Sequence, residues 1–123
     1  MAIQAVQVFT EDEEALANLL IGIGIKRNIA KVLVFLANST EATSRDVERG
    51  TDLRQPEVSL AMRYLSNRGW LKSRNRKSES KGRPLKIFRL SRPVPEIMGK
   101  IEKEKKHETT SRLELVKQLR KYV

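Results

Sequence analysis

Between Gly69 and Leu71 the hydrophobic period changes from helical to alternating, and that switch limits what the middle of the chain can become. On the N-terminal side, in QPEVSLAMRYLSNRG, Val58, Ala61, Met62 and Leu65 recur at three- and four-residue spacing, which puts them on one face of a helix over 55–68. Gln55, Ser59, Arg63 and Asn67 fall on the opposite face. Pro56 has a fixed φ and no N–H to lose, so it suits the first helical position and makes Gln55 the expected N-cap. Gly69 stands where helices commonly end in a left-handed residue. On the C-terminal side, Leu71, Ser73, Asn75 and Lys77 alternate with Lys72, Arg74 and Arg76, and Leu85, Ile87 and Arg89 with Lys86, Phe88 and Leu90. With the polar stretch 78–82 between them, these runs predict a β-hairpin.

Upstream, three helices are expected. Thr10 with Glu13 has capping-box spacing, and the acidic residues Glu11 to Glu14 favour the positive end of a helix over Glu11 to Ile21. Residues 1–9 alternate only roughly and carry no assignment. After the punctuating Gly22 and Gly24, the pattern Ile29, Val32, Leu33, Leu36, widened by Val34, Phe35 and Ala37, predicts a nearly buried core helix. The residues from Asn38 to Ala42 are turn-like. Thr43 and Asp46 repeat the cap logic for a short helix, Ser44 to Arg49, which Gly50 closes. A short helix, a tight glycine-containing link and a second helix with a polar face are the signature of a helix-turn-helix, whose second helix fits a B-DNA major groove.

Charge points the same way. The 123 residues contain 25 lysines and arginines against 15 acidic residues, a net charge of +10, and this favours a polyanionic partner. The hairpin segment 71–90 alone carries +7. One-signed charge on a hairpin repels itself unless an anion compensates it. With no cysteine and one histidine, His107, the chain cannot form a disulfide, a thiolate metal site or a cysteine nucleophile. No phosphate cradle, HExxH or GxSxG motif occurs, so neither catalysis nor a cofactor or metal is expected. The opening residues lack the basic and apolar regions of a signal peptide, and the longest apolar run, Leu19 to Ile25, is far below the ~20 residues of a membrane span. A cytoplasmic location is expected.

Beyond Pro93 and Pro95, Ile97, Met98 and Ile101 begin an amphipathic pattern, which Leu113, Leu115, Val116 and Leu119 resume after the mixed-charge interval 102–112. This reads as one long helix, or as two with a hinge near Thr109 to Ser111. An apolar stripe that a small core cannot cover is most simply covered by a second copy of the chain, which makes Ile97, Ile101, Leu115 and Leu119 dimerisation candidates. The expected division is a DNA-binding domain over 1–92 and a helical dimerisation extension over 93–123. The expected fold class is mainly α with a small β-hairpin.

The run GIGIKRNIAKVLVFLANSTEATSRDVERGTDLRQPEVSLAMRYLSNRGWL, followed by KGRPLKIFRL, resembles the winged helix-turn-helix regulators of bacteria and archaea, of the MarR, TrmB and ArsR kind and the archaeal type in particular. The resemblance covers Gly22 to Leu90, and the tail resembles the dimerisation helix such proteins often add. It implies a transcriptional regulator that binds operator DNA as a homodimer. The chain departs from the metal-sensing members, whose cysteines it lacks.

For double-stranded DNA as partner, Ser59 and Arg63 are the leading base or phosphate contacts, since a hydroxyl can donate to either and arginine pairs bidentately with guanine. Gln55 pairs with adenine or simply caps. Arg54 precedes it in the link. Leu60 meets a thymine methyl or, the preferred expectation, joins the core. Thr43 and Ser44 lie at a helix N-terminus that favours a phosphate oxygen, though Thr43 can also serve as cap alone. In the hairpin, Arg74, Arg76, Lys77, Lys81 and Arg83 are phosphate candidates, with Lys81 or Arg83 at a minor groove. Trp70 is assigned to the core beneath the hairpin in preference to base stacking. The competing readings are a winged-helix module for protein assembly and a non-specific, chromatin-like DNA binder.

Overall fold

The computed structural model describes residues 9–76 and 84–123, and the chain divides into two compact units, Met1–Arg92 and Pro93–Val123. In the first unit the order is α1 (Glu11–Gly22), α2 (Arg27–Ala37), α3 (Ser44–Thr51), α4 (Gln55–Asn67), β1 (Leu71–Arg76) and β2 (Leu85–Leu90). The second unit is α5 (Val94–Leu119), which ends in a single 3-10 turn, Arg120–Tyr122. The expected class, mainly α with one small hairpin, is the one observed.

Local chemistry explains most of the boundaries. Thr10 accepts from the Glu13 amide at 3.1 Å while Glu13 accepts from the Thr10 amide at 2.8 Å, a complete capping box for α1. Thr43 and Asp46 do the same for α3. The turn that follows α1 contains Gly24 at φ 105°, and the turn that follows α4 contains Gly69 at φ 77°. At the second of these, the Gly69 amide bonds to Ser66 and the Trp70 amide to Leu65, both at 3.0 Å, so two carbonyls of the last turn are satisfied as the chain reverses.

Four expectations are corrected. The N-cap of α4 is Arg54, not Gln55: the Glu57 carboxylate accepts from the Arg54 amide at 2.9 Å, while the Gln55 side chain, inside the helix, donates to Ser59 Oγ at 2.9 Å. The helix α3 runs through Gly50 to Thr51 and is closed by Asp52, left-handed at φ 59°. Gly50 has a different task, because a Cβ there would run into the Phe35 ring of α2. The stretch before Thr43 is not wholly turn: Ala42 is buried and exchanges backbone hydrogen bonds with Phe88 at 3.0 and 2.8 Å, forming a one-residue bridge beside β2. Of the two readings of the tail the first is observed: α5 is one continuous helix, with no hinge near Thr109, whose hydroxyl donates back to the Lys105 carbonyl at 2.9 Å. Leu60 lies at the surface and not in the core.

The core of the first unit is built around α2, in which Ile29, Ala30 and Val32 to Leu36 are all buried. Facing residues include Ala17 and Leu20 of α1, Val47 of α3, and Val58, Ala61, Met62 and Leu65 of α4. Trp70 is 4% exposed, with the Arg68 guanidinium 4.5 Å from its ring centroid, so it is a packed residue beneath the hairpin. The hairpin is antiparallel, Leu71 opposite Leu90 through Arg76 opposite Leu85. Its open end is tied by Ser91, whose amide bonds to the Trp70 carbonyl at 2.8 Å and whose hydroxyl donates to the Gly69 carbonyl at 2.6 Å.

Gly50 therefore sets how closely α3 approaches α2. Gly50→Ala is expected to cost about 1 to 3 kcal/mol by overpacking against Phe35. Gly22→Ala, at a position with nothing within 4 Å of the new methyl, should leave stability unchanged or raise it by up to about 1 kcal/mol. Urea unfolding of the two variants checks both.

Candidate nucleic-acid interface

The helix α4 is held to α2 by apolar packing and by one polar clamp, Asn28 Nδ2 donating to the Glu57 carbonyl at 2.9 Å. That fixes which way its other face points. Gln55, Ser59, Leu60, Arg63 and Asn67 are exposed. Gln55 and Ser59 are joined by their side-chain hydrogen bond one turn apart, so the two act as a single polar surface. Leu60 is 60% exposed, so it adds an apolar spot to this face. Arg54 is exposed at the N-terminal end of the same helix. Thr43 and Ser44 are half-buried at the start of α3, where the Thr43 hydroxyl is used as cap.

The hairpin sorts its charge by face. Successive residues of a strand point to opposite sides, and directly paired residues share a side. The register therefore puts Lys72, Arg74, Arg76 and Arg89 on one face together with Leu85 and the buried Ile87. The other face carries Leu71, Ser73, Asn75, Phe88 and Leu90, with Lys86 its one cation among the described residues. Lys72 is paired directly with Arg89, a like-charge apposition that weakens a hairpin in isolation. Lys77, Lys81 and Arg83 lie outside the described residues.

A groove of about 340 Å³ lies between α4 and the hairpin, with Arg63, Asn67, Lys86 and Phe88 among its walls. It brings Arg63 and the hairpin's Lys86 to one opening. On the cationic face, Arg74 is engaged by a residue that no local pattern singles out. Glu41, just before Ala42, accepts from Arg74 Nη2 at 2.9 and 3.0 Å and from Nε at 3.3 Å. The signal that could have found it was the buried Ala42, which joins this segment to β2.

The dimerisation candidates separate into two kinds. Ile97 and Ile101 are buried within the single chain, whereas Leu115 and Leu119 are 62% and 63% exposed. Leu113 and Val116 are exposed beside them. Among the described residues there is no group of three or more histidines, cysteines or carboxylates able to hold a metal ion, and no helix is long and apolar enough to cross a membrane.

Comparison with solved structures places the architecture. The archaeal chromatin protein TrmBL2, whose structure shows a novel mode of DNA binding, superposes over 89% of this chain with a TM-score of 0.60 at 15% identity. The fold is a winged helix. This chain spans only 40% of that protein's length. A possible transcriptional regulator from Methanosarcina mazei Go1 matches over 84% of this chain and 83% of its own, with a TM-score of 0.59 and 13% identity. A PadR family transcription regulator from Clostridium difficile R20291 superposes more loosely, with a TM-score of 0.43 over 75% of this chain and 96% of its own at 18% identity. No family model and no curated protein matches the sequence. In winged-helix terms α4 stands in the place of the recognition helix and the β1–β2 hairpin is the wing.

The opposite placements of Leu60 and Leu65 on α4 can be checked by stability alone. Leu60→Ala should change the unfolding free energy by less than about 0.5 kcal/mol, as surface substitutions do. Leu65→Ala, at a fully buried site, should cost about 2 to 5 kcal/mol in the same denaturant titration.

Proposed function

We propose that this protein is a sequence-specific regulator of transcription that binds double-stranded DNA as a homodimer. The helix α4 enters the major groove and the wing lies on phosphates and the adjoining minor groove. The observation that carries this reading is the pairing of two surfaces: an outward helix face with Gln55, Ser59 and Arg63, and a neighbouring wing with four cations on one side among its described residues. The first offers hydrogen-bond groups that discriminate base edges, and the second offers charge that binds any phosphate. The fold shared with the M. mazei protein, itself described as a possible transcriptional regulator, is consistent with it. Occupancy of a promoter would be the mode of action.

A second reading, a chromatin-like binder with little sequence preference, is favoured by one observation: the TrmBL2 structure, matched over most of this chain, is that of a chromatin protein. The two readings differ in what salt does. Phosphate contacts are lost alike on every sequence as salt rises, whereas base readout leaves a preference at moderate salt. Genomic fragments selected with the purified protein, titrated beside scrambled duplexes over a salt series, separate them. A preference that survives supports the regulator, and equal loss on both supports the general binder. On a selected duplex, Arg63→Ala should cost about 1 to 3 kcal/mol and relax preference at one base position. Uniform weakening on all sequences would make Arg63 a phosphate contact instead.

The homodimer rests on the exposed apolar residues of α5. Leu115, Val116 and Leu119 fall within one stripe of that helix, far from the few buried positions at its start. Two copies covering this stripe would set the separation of two half-sites about one helical turn of DNA apart. Replacing Leu115 and Leu119 together with glutamate should give monomers in sedimentation velocity. A dimer that persists would move the interface elsewhere.

A further inference from the structure

We infer that Glu41 is a specificity-determining residue of the DNA-binding surface: an internal carboxylate that occupies Arg74 in competition with backbone phosphate. The inference rests on the proposed binding of DNA by the wing. Glu41 lies in the loop between α2 and α3, next to the Ala42 bridge that docks this loop against β2. It reaches the cationic face of the wing and takes both the Nη2 and the Nε edge of the Arg74 guanidinium. That edge is one of the two with which arginine can make a bidentate contact to a phosphate. The carboxylate also borders a cavity of about 140 Å³ whose other walls include Lys72, Ile87 and Arg89. It thus sits among three of the four cations on this face, where a single anion compensates the most repulsion. The Lys72–Arg89 apposition is the part of the wing most in need of one.

The consequence is a trade. With Glu41 in place, the guanidinium of Arg74 is neutralised locally, and a phosphate approaching it meets a carboxylate as well. Neither partner is buried: the side chains are 55% exposed for Arg74 and 34% for Glu41, so the pair is weak enough to open. Arg74 therefore binds phosphate only where the backbone path makes the new contact better than the old one. The other wing cations raise affinity for all DNA, while Glu41 subtracts from it on duplexes that do not hold the backbone in place. This lowers non-specific binding more than specific binding, which is a gain in selectivity by a repulsive element.

The test uses the full chain and fluorescence anisotropy on a duplex of scrambled sequence across a potassium chloride series. Glu41→Gln keeps the shape of the side chain and removes its charge. It should bind about threefold or more tightly than wild type at low salt, and the slope of log K against log salt should steepen by about 0.9, the equivalent of one added phosphate contact. In an Arg74→Ala background, the same Glu41→Gln change should have a clearly smaller effect on both quantities, because the group it releases is absent and only its field on Lys72 and Arg89 remains. On a selected genomic duplex the gain should be smaller than on the scrambled one. An unchanged slope for Glu41→Gln overturns the inference, as does weaker binding, which would mean that Glu41 orients Arg74 toward phosphate. Equal gains with and without Arg74 overturn it too, since the carboxylate would then act only through the general field of the protein. If wild type binds no duplex at any salt, both the inference and the proposed function fall; if wild type binds but Glu41→Gln does not differ, only the inference falls.

Discussion

Seven of the eleven residues of α2 are buried, and a helix that is apolar over most of its circumference has no stable place at a surface. The other elements of the first unit follow from covering it. Each fully buried Val, Leu or Ile side chain is worth about 1.5 to 3 kcal/mol, so leaving one side of α2 open would remove more than a small domain has in reserve. The apolar stripe of α4 closes one side, and α3 approaches so closely that only glycine fits opposite Phe35. Once those contacts are made, the direction of every residue on α4 is decided. Val58, Ala61, Met62 and Leu65 face inward, and the outward set is what remains.

That rigidity suits the proposed recognition of DNA by α4. A side chain that discriminates base edges must be held to a fraction of an ångström by its support, and a helix clamped by a packed core supplies this better than a loop does. The Asn28 clamp fixes the first turn of α4 through the Glu57 carbonyl, and the reversal at Gly69 fixes the last. The same reversal delivers Trp70 to the core and starts β1 in a defined register. The helix α4 and the hairpin are therefore one mechanical piece, joined by residues 68–70, of which Gly69 has positive φ.

Much of this was legible in the sequence because it depends on short-range rules. Capping boxes at Thr10 and Thr43, the left-handed Gly69, the period change behind it and the apolar stripe of α2 are all encoded within a few residues. What could not be read depends on contacts between distant segments. Gly50 looked like a helix terminator, since nothing local announces that the Phe35 ring occupies the space of its missing side chain. Leu60 looked like core because its apolarity is local, whereas its exposure follows from how α4 rolls against α2. Gln55 lost the cap position because Glu57 was near enough to bind the amide of the residue before it. The sided charge of the wing needed the strand register as well as the alternation, because the register decides that Lys72 faces Arg89.

Charge on the wing faces two opposing demands. Cations on one face favour any polyanion, but they repel each other in the free protein, and this cost is present before any partner binds. A flexible counterion from solvent can meet it at no gain in discrimination. A carboxylate fixed by the fold meets it differently, because it must be displaced, and displacement is favourable only when phosphate geometry is good. The Ala42 bridge is what makes Glu41 fixed and not merely nearby: two backbone hydrogen bonds to Phe88 anchor the loop one residue away. A bridge of one residue adds little to the sheet as a sheet. Its larger effect is to set the distance between a carboxylate and a guanidinium, and so, on the proposed binding of DNA, how readily the wing would release a cation to phosphate.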